Sequence, residues 1–469
     1  MDRAPAESDA RLALRDLSAF VDSEHNSVPC FYSCEISTPP RTLIFWGQPY
    51  FNFLLVRRRS LAIGSECHSL DESPIFRIEA GYLLKAIRIL VACPTLTHAK
   101  FYFFHSWGAY WWPKRYVPPG FEDLMSKFYS LLKSSPSISC FDIRNSVTDV
   151  SLYCKDLPML VCENPRLETL IVSAGGPNFV VLAEALAVCL PRNTVLKSFT
   201  LRISIHDYEL NRDCLGILLR PFTSSLPGEA NVDLKELALY LQYSDGHSTD
   251  AIANLVCRNT TLEKLDLGFL KFRSCLKDGK SSWREVGRAL EVNQTLKELS
   301  CFCDLAALRE LLVPFVPDRY GRQPNTTLST LRLFVSNVVN EQWVQTLVNS
   351  DNLGGVLRDL ASALELNTTL KHVQFVYEWD GYLESHKDEV KYITDKNLWR
   401  VEFQIREILK MMIRNELRVN TSLESFAVGN WTLLRVGTEW QTSYRGPCLR
   451  EQTKVTCLVE YIVKVKMTP

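Results

Sequence analysis

A phrase of about nine residues recurs along the chain and constrains its fold more than any other sequence feature. In NTTLEKLDL, which starts at Asn259, a polar opening is followed by alternating apolar and polar positions. Clear copies are NTVLKSFTL, NQTLKELSC, NTTLSTLRL, NTTLKHVQF and NTSLESFAV, and weaker copies are PTLTHAKFY, PSISCFDI, NPRLETLIV and VDLKELAL. The leading apolar residues are Leu96, Ile138, Leu167, Leu196, Leu234, Leu262, Leu296, Leu328, Leu370 and Leu423. Their shortest separations are 28 and 29 residues, so longer separations indicate insertions into one repeated unit.

The alternation of apolar and polar residues in each repeated unit predicts one strand. Leu262, Leu265 and Leu267 point to one side, while Lys264 and Asp266 alternate to the other, which is the period of a strand with one buried face.

A helical pattern of apolar residues precedes most of these strands. Examples are Ala251, Ile252, Leu255 and Val256; Val286, Ala289 and Leu290; and Leu357, Leu360, Ala361 and Leu364. One strand and one helix cannot bury their apolar faces alone, so neighbouring units must stack. The sequence therefore predicts an α/β solenoid.

These residues resemble leucine-rich repeats (LRRs) of the ribonuclease-inhibitor-like subtype, and are similar to the LRR region of nucleotide-binding receptors of the NLR type. The resemblance covers about residues 80 to 430 and implies a horseshoe with parallel concave strands and outer helices. That family usually has Asn or Cys nine residues into the phrase. Here Gly175, Leu270, Ser336 or Trp431 stands there, so we expect irregular turns.

Length alone would suggest about three domains, but stacked repeats need no separate cores. We interpret residues 81–430 as the solenoid, with about ten repeats and insertions near 101–120 and 378–396. Residues 1–80 are expected to form an N-terminal cap or divergent first repeats. Residues 431–469 are expected to form a C-terminal cap.

The composition indicates a folded protein without a strong electrostatic field. The chain is 46% apolar and 23% charged, and its 53 basic and 53 acidic residues balance, which excludes an intrinsically disordered chain. Balanced charge gives no reason to expect a nucleic-acid or acidic-membrane partner. We find neither a secretory signal nor an apolar stretch of membrane-spanning length, and therefore expect a cytoplasmic monomer.

The cysteines do not form a disulfide pattern. Their number is odd, at 15, and several occupy apolar positions of the repeat, including Cys189, Cys257 and Cys301. We expect these to be free and buried, as in a reducing compartment.

No motif predicts catalysis, a cofactor or a metal. Residues 279–281 read Gly-Lys-Ser like the end of a phosphate-binding loop, but Ser274 stands where that loop requires its first glycine. The residues whose types could supply zinc ligands are Cys30, Cys34, Cys67 and His68, and Cys301 with Cys303. Their spacing does not supply four ligands, so unpaired thiols are expected instead.

Six Asn-x-Ser/Thr sequons occur, at Asn259, Asn293, Asn325, Asn367, Asn420 and Asn430. The first five hold the same place in the repeat, between helix end and strand start. Turn chemistry explains this regularity better than glycosylation, because Asn tolerates left-handed backbone and bonds locally.

An aromatic segment, Phe101 to Pro119, interrupts the repeats and contains Trp107, Trp111 and Trp112. Exposed aromatic residues of this kind dominate interface hot spots, so the segment is a candidate binding loop. Packing against a cap is the alternative, and the sequence leaves both open.

The outward strand positions form the other candidate binding surface. They carry four acids and five bases along the chain, with Tyr240, Phe302, Arg332 and Phe334 in the middle and later repeats. This pattern favours a non-catalytic scaffold that binds a partner protein through the concave face. The alternatives are a regulator of a small GTPase, similar to Ran GTPase-activating protein, and a nuclease inhibitor. Neither gains support, because the C-terminal tail and the face lack the acidic charge that these proteins use.

Overall fold

The computed structural model describes residues 42–48, 51–57, 60–66, 98–103, 126–145 (without 128, 131 and 136), 156–175, 179–204, 214–224, 233–241, 246–268, 283–303, 310–311, 315, 325–335, 351–377, 406–429, 431–437, 439–444 and 463–465. The chain divides into two compact units, Met1–Leu237 and Ala238–Pro469.

The described residues of unit 1 form seven strands and part of an eighth. They are β1 (Thr42–Gln48), β2 (Phe51–Arg57), β3 (Ser60–Glu66), β4 (His98–Phe103), β5 (Cys140–Asn145), β6 (Thr169–Gly175), β7 (Ser198–Ser204) and β8 (Glu236–Leu241), which crosses the division. The sheet order is β7-β6-β5-β4-β1-β2-β3, and β4 to β7 are parallel. β1 runs parallel to β4, whereas β2 is antiparallel to both β1 and β3.

The helices of unit 1 alternate with its later strands. The described ones are a helical stretch over 126–133 (without 128 and 131), α1 (Asp156–Glu163), α2 (Phe179–Cys189) and α3 (Cys214–Thr223), with a 3-10 turn at Leu190–Arg192. α1 buries Leu157, Leu160 and Val161.

Within its described residues, unit 2 has the end of β8 and eight further strands. They are β9 (Lys264–Leu267), β10 (Glu298–Cys303), β11 (Thr330–Val335), β12 (His372–Tyr377), β13 (Ser425–Val428), β14 (Trp431–Val436), β15 (Glu439–Tyr444) and β16 (Val463–Val465). The sheet follows chain order, with β9 to β13 parallel and β14 to β16 antiparallel. Its helices are α4 (Gly246–Arg258), α5 (Trp283–Val292), α6 (Asp351–Leu366), a helical stretch over 406–414, and α7 (Glu416–Val419).

The predicted alternation is present on the strands. In β9, Leu265 and Leu267 are fully buried, while Lys264 and Asp266 are half-buried on the other side. The predicted helix positions agree except Ala251, which is only partly buried. The others, Ile252, Leu255, Val256, Val286, Ala289, Leu290, Leu357, Leu360, Ala361 and Leu364, are at most 4% exposed. An α/β repeat with a mostly parallel sheet is therefore confirmed.

The asparagine that opens each of the six clear copies of the phrase is buried and closes the turn from helix to strand. Asn293 Oδ1 accepts hydrogen bonds from the backbone N–H groups of Thr295 and Leu296, at 3.0 and 2.8 Å. The same pair of bonds recurs at Asn193, Asn259, Asn325, Asn367 and Asn420. These five and Asn293 are between 1% and 7% exposed. Turn chemistry thus accounts for five of the six sequons, and Asn430 lies outside the described residues.

The amide of the asparagine links successive repeats. Asn293 Nδ2 donates to the carbonyl oxygens of Val256 and Asn259, at 2.7 and 3.4 Å, and Asn325 repeats this with Leu290 and Asn293. Asn164, Asn193 and Asn420 donate to the equivalent carbonyls of Leu132, Val161 and Leu364. We call this series the asparagine ladder; it satisfies carbonyl groups that a helix end leaves without partners.

Two sequence expectations about local structure were wrong. Asn193 and Asn420 have extended backbone, with φ/ψ of −87°/110° and −69°/122°, rather than the left-handed conformation. Cys257 is exposed near the end of α4, whereas Cys189 and Cys301 are buried as expected. All three thiols are free.

Beyond β13 the chain turns back through two antiparallel strands. Gly429 and Gly437 both have positive φ, at 56° and 65°, which a side-chain-bearing residue rarely adopts. Trp440 on β15 is fully buried and donates through Nε1 to the Leu417 carbonyl oxygen at 3.4 Å. This hairpin covers the last parallel strand of unit 2.

Candidate functional site

The strand side chains of unit 2 that point away from the core form one surface, which we call the open face. Its described members are Tyr240, Lys264, Asp266, Glu298, Ser300, Thr330, Arg332, Phe334, His372, Gln374, Ser425 and Ala427. The parallel register aligns them in rows across the sheet: Lys264, Glu298, Thr330, His372 and Ser425 make one row, and Asp266, Ser300, Arg332, Gln374 and Ala427 make the next. Row neighbours are separated by one strand spacing, about 4.8 Å.

The charged residues Lys264 on β9 and Glu298 on β10 form an ion pair on the open face. Lys264 Nζ lies 3.9 Å from Glu298 Oε2, and both side chains are about 40% exposed. An ion pair that is this exposed to solvent contributes little to stability. Each of the two charges nevertheless has an oppositely charged partner.

Tyr240 and Asp266 form a second closed contact. The Tyr240 hydroxyl donates to Asp266 Oδ2 at 2.8 Å. The aromatic ring lies against Gly268, where an added Cβ would be only 2.5 Å from Tyr240 Cε1. Gly268 is therefore required by the close approach of this ring rather than by an unusual φ.

Arg332 differs from the other charged residues of the open face. Its side chain is exposed, and within the described part of the chain no ion pair or hydrogen bond involves it. Gln374 is its register partner on β12 and is also exposed. Phe334 lies two residues along β11, on the same side, and is half-buried.

His372 ends the set of titratable groups on this surface. Its Nδ1 lies 2.9 Å from Ser425 Oγ, and its Nε2 lies 3.8 Å from Glu424 Oε2. Lys371 also approaches Glu424, at 3.2 Å, so the carboxylate is shared between two side chains of the preceding repeat.

Not every outward position is accessible. Ser300 and Thr330 are only 6% and 8% exposed, so they shape the floor of the open face rather than project from it. In unit 1, Asp142 holds an outward position of β5 but is 1% exposed.

The predicted site residues have different outcomes. Tyr240, Arg332 and Phe334 lie on the open face, and the backbone of Phe302 pairs with that of Phe334 between β10 and β11. Trp107, Trp111 and Trp112 lie outside the described residues, so their role stays a prediction.

The sequence reasoning missed the continuation of this surface onto β14. Leu434 and Val436 are 47% and 54% exposed, and the register pairs Leu434 with Ser425. Alternation in the segment WTLLRV, with Trp431 and Leu433 buried, was the signal that could have revealed it.

Across the described residues no group of three or more His, Cys, Asp or Glu could hold a metal ion. No helix in the same part of the chain is both long and apolar enough to cross a bilayer.

Two free cysteines of unit 1, one on α1 and one at the end of α2, are joined by a hydrogen bond. Cys162 Sγ donates to the Cys189 carbonyl oxygen at 3.6 Å. Burial raises the pKa of the Cys189 thiol to about 12, and the adjacent Cys162 acts in the same direction while Arg192 opposes it. Cys189 is thus a neutral, unreactive thiol at physiological pH.

Comparison with known proteins does not assign a family. No family model matches the chain, and no curated protein matches it. Among solved structures it is similar to the leiomodin-1 actin-binding site 2, at 16% identity over 36% of this chain and 78% of that one, with a TM-score of 0.19. It is also similar to the tropomodulin C-terminal domain of Caenorhabditis elegans, at 17% identity over 43% of this chain and 99% of that one, with a TM-score of 0.21. Superpositions this poor carry no argument about the site.

Proposed function

We propose that this protein is a non-catalytic, cytoplasmic leucine-rich-repeat scaffold that binds a partner protein through the open face of unit 2. In this proposal the repeats curve into a horseshoe of the ribonuclease-inhibitor-like type, with the open face on the concave side, and the chain acts as a monomer. The observation that carries the proposal is the placement of Tyr240, Arg332 and Phe334 on one side of the unit 2 sheet.

The residue types and their exposure support protein binding. Tyr and Arg are the side chains most enriched at energetic hot spots, and both lie here on a regular β scaffold that holds them in fixed register. None of the three is fully buried by its own chain. Aromatic rings that are half-exposed on a sheet can bury further apolar area against a partner.

The charge of the open face gives no support to a nuclease inhibitor. Lys264 and Arg332 balance Asp266 and Glu298, so the described part of the face has no acidic excess. A nuclease inhibitor would need such an excess to attract a basic enzyme. No observation favours a GTPase-activating role either, so neither is proposed.

Affinity capture with matched variants tests the proposal. The wild-type chain, the triple variant Tyr240→Ala, Phe302→Ala, Phe334→Ala, and a control with Val292→Ala and Val419→Ala are immobilised and exposed to lysate from the cells of origin. The two control valines are 59% and 57% exposed on α5 and α7. We expect a set of proteins captured by the wild type and the control to be lost from the triple variant while its circular dichroism spectrum is unchanged. Identical capture by all three chains would contradict the proposal.

A further inference from the structure

Arg332 is the one charged residue of the described open face that makes neither an ion pair nor a hydrogen bond. Lys264 is compensated by Glu298 at 3.9 Å, and Asp266 accepts the Tyr240 hydroxyl at 2.8 Å. Asp266 and Arg332 are separated in the register by the strand that carries Ser300, so their backbones lie about 10 Å apart. Arg332 makes no ion pair with any residue that the structure describes.

We propose that Arg332 is an anion-recognition anchor, and that the partner contributes an extended acidic segment in which Asp or Glu is followed two positions later by an apolar residue. This inference rests on the proposed function and names the chemistry of the partner at that same surface. The carboxylate contacts Arg332 and Gln374, and the apolar side chain contacts Phe334.

Geometry supports the first half of this motif. A guanidinium presents several N–H donors in one plane and binds a carboxylate through two of them. Gln374 is the register partner of Arg332, so its amide lies one strand spacing away and adds a neutral donor beside the guanidinium. No hydrogen bond within the described residues uses this amide.

The spacing of the motif follows from the strand. Arg332 and Phe334 are two residues apart on β11, so their Cα atoms are separated by about 6.6 Å along one side of the sheet. An extended peptide repeats its own side chains at the same distance. When the peptide runs in the same direction as β11, an acid at position i and an apolar residue at position i+2 therefore reach Arg332 and Phe334 together.

Selection from a displayed library of random peptides, with the full chain as bait, tests the inference. We expect selected peptides to share an acid-x-apolar pattern. Arg332→Gln should weaken their binding about tenfold or more, because it removes a charge-assisted contact. Arg332→Glu should shift selection toward basic peptides. Arg258→Gln, an exposed arginine at the end of α4, is the matched control and should leave binding unchanged.

The outcomes separate this inference from the proposed function. Peptides without acidic preference that still lose binding in Phe334→Ala would overturn the acidic motif while leaving the open face as the binding surface. Peptides indifferent to every open-face variant would overturn both. Failure to enrich any peptide over empty support would overturn the motif. So would Arg332-dependent binding of a uridine oligonucleotide without selection of acidic peptides, because the anion would then be a phosphate.

Discussion

The Arg435 guanidinium donates through Nη1 to the Asn420 carbonyl oxygen at 2.6 Å. At Asn259 and Asn293 this acceptor position is served by the next asparagine, Asn293 and Asn325 respectively, and at Asn325 it is served by the Thr369 hydroxyl. Arg435 thus takes the place of the next asparagine of the ladder. Its backbone N–H continues the strand pairing by donating to the backbone carbonyl oxygen of Glu424 at 2.9 Å. The arginine side chain also lies over the Trp440 ring, 5.9 Å from its centroid.

We expect Arg435→Met to destabilise unit 2 by about 1–3 kcal/mol, because the Asn420 carbonyl loses a charge-assisted hydrogen bond and the Trp440 ring loses its cation. Arg435→Lys should give a smaller loss, since an ammonium can reach the carbonyl but lacks the planar fork. The measurement is the free energy of unfolding in urea, followed by Trp fluorescence.

Arg258→Met is the control for this loss. Arg258 is exposed at the end of α4, and its substitution by Met removes the same positive charge. An equal effect of the two substitutions would show that Arg435 acts only through net charge and does not close the ladder.

A second prediction concerns the ladder itself. Asn293→Asp keeps the oxygen that accepts from Thr295 and Leu296 but replaces the amide that donates to Val256 and Asn259. A buried carboxylate then faces two carbonyl oxygens, so we expect a loss of about 3 kcal/mol or more near pH 7. Burial raises the pKa of such a carboxyl in the folded state, so protonation favours folding and the loss should shrink as pH falls.

Gln294→Glu is the matched control, because it adds the same charge at the adjacent exposed position. It should change the free energy of unfolding by no more than about 0.5 kcal/mol. If Asn293→Asp were equally mild, or insensitive to pH, the amide of Asn293 would not carry the link between repeats.

The asparagine ladder shows what the sequence could and could not predict about this fold. The phrase predicted strand, helix and buried turn because these depend on residues a few positions apart. The amide of Asn293 bonds a carbonyl 37 residues earlier in the chain, and Arg435 bonds one 15 residues earlier. Such partners depend on how repeats stack, which periodicity alone does not specify. The expectation of left-handed asparagines rested on local propensity and was wrong, because the hydrogen bonds of the asparagine side chains hold the backbone extended.

The candidate site was predictable in position but not in chemistry. Alternation placed Tyr240, Arg332 and Phe334 on the outward side of their strands. It could not reveal that Tyr240 is engaged by Asp266 while Arg332 is not, because a hydroxyl–carboxylate contact between two strands depends on side-chain geometry. The sequence showed that acidic and basic residues are nearly equal in number on this face. The structure shows which of these residues form contacts with one another.

Cysteine reactivity provides a third prediction. With a pKa of about 12, roughly one Cys189 thiol in ten thousand is ionised at about pH 8, so iodoacetamide should not modify it in the folded chain. Cys257 is exposed and should be modified readily. Peptide mass spectrometry after alkylation measures both sites, and alkylation in denaturant should modify both. Rapid modification of Cys189 in the folded chain would show that α2 does not bury its last residue.

The last prediction tests the contact between Gly268 and Tyr240. In Gly268→Ala the new Cβ would lie 2.5 and 2.7 Å from Tyr240 Cε1 and Cδ1, so the ring must move, and we expect this to weaken its hydrogen bond to Asp266. We expect a loss of about 1–3 kcal/mol in the free energy of unfolding. The same substitution in a Tyr240→Ala background should cost less than about 0.5 kcal/mol, because the obstructing ring is absent. Gly216→Ala is the control: no atom lies within 4 Å of its Cβ position, and it should stabilise α3 slightly. Additive losses for Gly268→Ala and Tyr240→Ala would show that the two residues do not touch. The ring would then have no fixed position on the open face.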